Sequence, residues 1–415
     1  MLTEPNQRIP TKFQRWPLLL VSFTILMVAF CACRFSLPVF YPVFAKKFGW
    51  THAQVVGGGS IVLLLIGILG PLVGWLADKF SPKAVLLTGM CVCAAAMALL
   101  STTHTLTQWY AFCVLLGAGI ASVSLVPASM LIAPWFTKQR GLAVGVINAG
   151  VGAGGAIVPN LTRSWIQQHG YSTAWLLLAC TLAIPFVLTL LLVRGAFNRR
   201  TVHAHATANV ANAGRVARTS AFWIFGMSVF FAAHTQTGIQ ENLTLYLTGQ
   251  GVSSTNAAFA LSVLLGASAF GKLLGGAVAD RFSTRVSLIM SNLWLVLGII
   301  GLLTVEARSA VIYAIAALFG LGFGGIFNAP SLIAFEYFGT EKVGTILGSF
   351  MMFFGLGTSS GSLAAGAIYD QTHRYTAAFT VDLLSCILAF VLLFAVGRRP
   401  SPRPAPLAAA VKKIA

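Results

Sequence analysis

The sequence predicts an all-α polytopic membrane protein, with twelve transmembrane helices arranged as two six-helix bundles. Three observations lead there. Of 415 residues, 27 are Lys or Arg and 9 are Asp or Glu, so only 9% are charged, against about 25% in a soluble domain. With 57% hydrophobic residues and a mean hydropathy of +0.84, the chain has too few charges to clothe a soluble surface. The apolar runs are also continuous rather than alternating, as helices require and a barrel does not. Finally, the basic residues gather in alternate loops. Composition thus excludes a water-soluble enzyme, a coiled coil and a disordered chain.

A helix crosses a bilayer with about 20 apolar residues. Uncharged runs place helices near 17–44, 54–78, 83–103, 107–135, 139–166, 173–194, 221–247, 255–281, 285–304, 308–335, 342–369 and 375–397. The first run follows Arg8, Lys12 and Arg15 and leads into Arg34-Phe35-Ser36-Leu37-Pro38. No small-residue cleavage region follows it, so it reads as a retained span. Ala84–Thr137 is uncharged over 54 residues and holds two spans, with Ser101-Thr102-Thr103-His104 at the turn. A polar linker, 195–219, divides an N-terminal bundle (1–194) from a C-terminal bundle (220–398), and a tail (399–415) is expected to be disordered. His203 and His205 in the linker read as parts of a solvated hinge.

Twenty of the 27 basic residues then fall on one side, Lys46, Lys47, Arg163, Arg308 and Arg374 on the other, and Arg34 and Lys272 within spans. The positive-inside rule puts both termini in the cytoplasm, in a plasma (bacterial inner) membrane. The net charge of +18 therefore reports orientation and lipid contact, not nucleic acid, because no basic stretch is interleaved with base-stacking aromatics. The seven cysteines lie in apolar runs without zinc spacing and read as packing residues. Nothing calls for a metal, a cofactor or a catalytic constellation.

The halves repeat. Gly74-Trp75-Leu76-Ala77-Asp78-Lys79-Phe80-Ser81-Pro82-Lys83 returns as Gly276-Ala277-Val278-Ala279-Asp280-Arg281-Phe282-Ser283-Thr284-Arg285. Gly117, Gly119, Pro127, Gly141 and Gly145 return as Gly320, Gly322, Pro330, Gly344 and Gly348. Six spans repeated in parallel suit alternating access. The decapeptide resembles the loop motif of the major facilitator superfamily over the whole chain, with Ser81 and Ser283 where Gly is usual. A narrower stretch, Trp135-Phe136-Thr137-Lys138-Gln139-Arg140-Gly141-Leu142-Ala143-Val144-Gly145 followed by Ala149-Gly150, is similar to monocarboxylate porters and oxalate/formate exchangers. Arg34-Phe35-Ser36 and Phe48-Gly49-Trp50 resemble bacterial members of that group.

Arg34 and Lys272 are the charges that need a partner. Counted along their helices they lie about 27 Å and about 12 Å from the cytoplasmic face, near mid-membrane, where a charge is costly. By the same count Glu241 and Asp382 fall nearer the outer ends, so no carboxylate is expected beside either cation or beside His234. A small anion is the expected partner. The resemblance implies the same: similar transporters carry Gly and a cation in span eight, here Gly271-Lys272. Lys in place of Arg gives up bidentate geometry. Span eleven lacks the lysine of oxalate exchangers, which favours a monocarboxylate. Ser268 stands where animal porters place an Asp, which removes the obvious proton-binding carboxylate.

His234, Gln236, Asn148, Asn328 and Tyr41 are further binding candidates. Gly74, Asp78, Lys79, Lys83, Asp280, Arg281, Arg285, Lys138 and Arg140 are candidates for a cytoplasmic gate that pairs with neighbouring helix ends. The expected activity is secondary transport of a small carboxylate by a monomer, through proton symport or anion exchange. The open alternatives are a dicarboxylate exchanger, an exporter of apolar or cationic compounds, and a non-transporting sensor.

Overall fold

The computed structural model describes residues 15–133, 135–136, 139–193, 218–304, 310–337, 343–372 and 374–395. The linker 195–217, the tail and Lys138 lie outside them. The first bundle comprises α1 (Trp16–Phe48), α2 (His52–Ile68 with Gly70–Lys79), α3 (Pro82–Leu100), α4 (Leu106–Ser122 with Leu125–Ile132), α5 (140–169) and α6 (171–192). The second comprises α7 (Ser220–Gly249), α8 (Ser254–Arg281), α9 (Thr284–Thr304), α10 (Val311–Phe327 with Ala329–Tyr337), α11 (Val343–Thr372) and α12 (Tyr375–Ala395).

Among the described residues, eight helices are long and apolar enough to cross a membrane, or ten with each bent pair taken as one. The continuous stretch Arg140–Leu192 supplies two spans, because Gly170 (φ 79°, ψ 170°) turns the chain back. The remaining span, α7, is 30 residues long but is diluted by His234, Gln236, Gln240 and Glu241.

Local chemistry sets the ends. Thr51 with Gln54, and Thr105 with Gln108, form reciprocal capping boxes at the starts of α2 and α4. Ser81, Thr219 and Ser253 cap α3, α7 and α8. Gly49 (φ 69°) and Gly251 (φ 82°) make the α1–α2 and α7–α8 turns in left-handed backbone that a Cβ would strain. Prolines mark the bends: α2 breaks by 48° at Leu69 ahead of Pro71, and α10 by 41° at Asn328 ahead of Pro330. Residues Ile25–Phe30 of α1 form a π-helical turn just before Arg34.

The outer surface is apolar, with Leu64, Leu72, Phe259, Leu384 and Phe394 among its exposed side chains. Cys91 and Cys180 lie on that surface, and the other five cysteines are buried. The packing role expected of all seven therefore holds for five. The two bundles meet along α2–α11 and α5–α8. The glycines permit it. A Cβ on Gly70 would strike the Gly348 carbonyl, one on Gly74 that of Gly344, and one on Gly145 that of Lys272.

Candidate functional site: a central lysine and a paired aspartate latch

The end of the molecule carrying Lys79, Lys83, Arg281 and Arg285 is called the basic end here. There the repeated motif closes one bundle on the other. Asp78 accepts hydrogen bonds from the Gly344 N–H (3.2 Å), the Thr345 N–H (2.9 Å) and the Thr345 hydroxyl (2.9 Å) at the start of α11. Asp280 accepts from the Gly141 and Leu142 N–H groups, both at 2.7 Å, at the start of α5. A carboxylate there satisfies orphan amides and meets the positive end of the helix dipole. Gly74 and Gly276, four residues earlier, let the same helix end approach backbone to backbone. The two sequence motifs are therefore halves of one device: the glycine-led start of α5 is what Asp280 grips.

The basic gate candidates do something different. The Lys83 ammonium donates to the Leu190 and Val193 carbonyls at the end of α6 (3.1 and 2.7 Å). Arg285 donates to the Phe394 carbonyl of α12 at 3.4 Å. Both neutralise helix C-termini within their own bundle. Lys79 lies over Trp75 (4.6 Å), Arg281 over Phe282 (5.8 Å), and Arg140 donates to the Phe136 carbonyl (2.8 Å). Of the described gate candidates, the aspartates and Gly74 bridge the bundles, while these cations hold their own halves together.

Above this latch lies the central group. Lys272 is 3% exposed. Its ammonium rests 4.8 Å from the centre of the Phe327 ring and 3.9 Å from where a Cβ on Gly152 would stand. Among the described residues no carboxylate lies within ion-pair distance of it. Asn328, at the break of α10, donates to the Lys272 carbonyl and accepts from the Asn148 amide across the bundle interface, both at 2.7 Å. Asn148 Oδ1 is buried without a partner. Arg34 is half-buried one turn beyond Cys31, which packs on Gly154 of α5, and its guanidinium lies 5.8 Å from the Phe35 ring. Lys272 of α8 and the residues flanking Arg34 on α1, Cys31 and Phe35, thus pack on the same stretch of α5, at Gly152, Gly154 and Gly155.

The other candidates sit elsewhere. Gln236 is buried and donates to the Phe323 carbonyl within the second bundle (3.2 Å). The Tyr41 hydroxyl abuts Gly59, and its ring meets Trp109 edge-on at 6.4 Å. His234 corrects the expectation that no carboxylate lies near it: its Nε2 is 3.6 Å from Asp382 Oδ1. Asp382 is seven residues from the start of its own helix, but α7 is the longer helix, so the middle of α7 faces that position. Depth counted along single helices misses this. Asp382 is nonetheless the one carboxylate within the described α12, and an intramembrane charge is itself a functional signal.

The family model for the Major Facilitator Superfamily matches residues 18–272 and 242–415, and the chain belongs to that family of membrane transporters. Among curated relatives, an MFS-type transporter of Gibberella moniliformis is 27% identical over 384 residues, covering 89% of this chain and 86% of that protein. Monocarboxylate transporter 13 of Rattus norvegicus is 25% identical over 374 residues, covering 88% and 85%. Among solved structures, the proton:xylose symporter XylE matches with a TM-score of 0.76 at 12% identity over 93% of this chain and 96% of that one. The E. coli fucose:proton symporter gives 0.69 at 16% identity over 92% and 98%. The fold is that of a multi-pass secondary transporter.

Proposed function

We propose that this transporter moves a small monocarboxylate across the plasma membrane by alternating access, with Lys272 as the anion's principal partner and Arg34 as the second positive group. The observation that carries this reading is the buried Lys272 ammonium, held at the bundle interface with an aromatic ring but no carboxylate among the described residues. A buried unpaired cation is costly, and a carboxylate arriving between the halves removes that cost. Occlusion is then favoured with substrate and disfavoured without it. The similarity to monocarboxylate transporter 13 supports the substrate class. The basic end is assigned to the cytoplasm by its positive charge, and the latch of Asp78 and Asp280 is assigned as the cytoplasmic gate.

The test is uptake of labelled lactate, pyruvate, formate and oxalate into proteoliposomes, with and without a pH gradient and internal anion. Lys272→Gln should lower monocarboxylate uptake about 30-fold or more, since losing one partner of a buried charge pair costs roughly 2–5 kcal/mol. The variant should still insert in the membrane. Normal uptake by it would sink the assignment, and preference for oxalate would favour the dicarboxylate alternative.

A further inference from the structure

We propose that His234, Asp382 and Ser360 form a proton-binding site inside the second bundle, apart from the Lys272 centre, and that this site couples proton movement to the transport cycle. The proposal rests on the transport reading above, though not on which anion is carried.

Hydrogen-bond bookkeeping fixes where the proton goes. The Ser360 hydroxyl lies 2.9 Å from the Gly357 carbonyl, which can only accept, so the hydroxyl donates there. The same oxygen lies 2.9 Å from His234 Nδ1. In the tautomer consistent with that donation, the oxygen accepts and Nδ1 carries the hydrogen. The neutral ring therefore presents a bare Nε2 lone pair, which faces Asp382 Oδ1 at 3.6 Å. Two acceptors face each other across that gap, and one proton between them converts the arrangement into an ion pair or a hydrogen bond. Without it Asp382, 2% exposed, is a buried anion whose Oδ2 has no partner among the described residues. That state is expensive. The site thus stores one proton, and its release must be driven.

Among the described residues the surroundings supply no other counter-charge. From α7, the Thr235 hydroxyl donates to the Asp382 backbone carbonyl (2.9 Å), and Gly238 lies against the carboxylate, leaving no room for a Cβ. From α9 comes Asn292, whose backbone and side-chain oxygens face Cys386, one turn along α12 from Asp382. From α11 comes Ser360. Glu241 of α7 is exposed. No Lys or Arg among the described residues lies within ion-pair distance of Asp382.

The site is wired to the latch through one helix. α11 runs unbroken for 30 residues. Asp78 of the other bundle grips its start, and Gly348 and Gly355 pack on α2. Farther along, Gly357 and Gly361 lie on the Phe230 and His234 carbonyls of α7, and Thr237 donates to the Thr358 carbonyl (2.7 Å). When the basic end opens, α11 leaves α2 and shifts against α7. Ser360 then withdraws from Nδ1, the ring is free to turn, and the proton leaves by the edge of His234 that is still 12% exposed.

The test uses the full-length protein in proteoliposomes with labelled lactate. Asp382→Asn and His234→Gln should each cut accumulation driven by an inward proton gradient by about 5- to 150-fold, the range of coupling between linked sites. Both should retain lactate counterflow, which moves no net proton. Gradient-driven accumulation at the wild-type level in Asp382→Asn overturns the proposal, as does equal loss of counterflow in both variants. Infrared difference spectra recorded against pH, without substrate, give an independent reading. The wild type should show a titrating buried carboxylic C=O band that Asp382→Asn lacks, and absence of the band in the wild type overturns the site. If the wild type carries no lactate, the carboxylate reading fails while the infrared titration still decides the proton site.

Discussion

At the scale of single residues, Asn328 is the hinge pin of the central group. It occupies the break of α10, where the helix ladder leaves backbone groups to be satisfied by side chains. Its amide ties Lys272 from one side and Asn148 of the other bundle from the second. Side-chain hydrogen bonds between membrane helices are each worth about 0.6 kcal/mol and at most about 1.7. Asn328→Ala removes two of them and Asn148→Ala one. In detergent, thermal unfolding midpoints should therefore fall below wild type in both, and further in Asn328→Ala, by roughly 1–4 °C given the size scaling of unfolding entropy. An Asn148→Ala midpoint below that of Asn328→Ala would contradict the assigned geometry.

At the scale of elements, the glycines separate by what they touch. Gly67, Gly70 and Gly74 press α2 on α11 of the other bundle, whereas Gly58 and Gly59 make room for Trp109 and Tyr41 within their own. Gly150 and Gly154 receive α1, and Gly152 faces Lys272. Composition alone marks all of these as one small-residue stripe; only neighbours tell the rocking surface from the static one. The two Asp-capped helix starts are the strongest polar contacts across that surface. A hydrogen bond to a charged group is worth about 1.5–3 kcal/mol. Asp78→Asn and Asp280→Asn should each shift the protein toward opening at the basic end, and the double variant more. Spin labels at Phe80 and Phe282, both exposed at that end, would read this as a longer inter-label distance. The background would have its native cysteines replaced. An unchanged distance distribution in the double variant would rule out the latch.

At the scale of the whole molecule, the repeat is a working symmetry. Ser129 and Ser331, 202 residues apart, meet each other at 3.2 Å. The repeat pairs Pro127 with Pro330, so this contact lies one residue off exact register and close to the pseudo-two-fold axis that relates the halves. Asp78 and Asp280, Lys83 and Arg285, and Gly49 and Gly251 repeat at the same spacing in equivalent roles. Each half holds its own outer helices with basic residues and grips the other with an aspartate. The contacts across the interface are numerous enough that the covalent linker is not needed to hold the halves. A protease site inserted within 195–217 and cleaved after purification should leave both fragments co-eluting on gel filtration in detergent. Separation into two species would contradict it.

The sequence by itself determined the twelve spans, the repeat, the family and the two isolated intramembrane cations. Each of these follows from composition or period along one chain, because a bilayer demands long apolar helices and makes every exception costly. It also marked Asp78 and Asp280 as gate candidates. Only the tertiary structure decided their partners, because the start of α5 lies 139 residues from Asp280 and that of α11 266 residues from Asp78. The pairing of His234 with Asp382 was likewise invisible. The two residues are 148 positions apart on helices of different length, and their opposition depends on how far each helix is shifted along the bundle. That shift is set by close packing between helices, which leaves no periodic trace in either one.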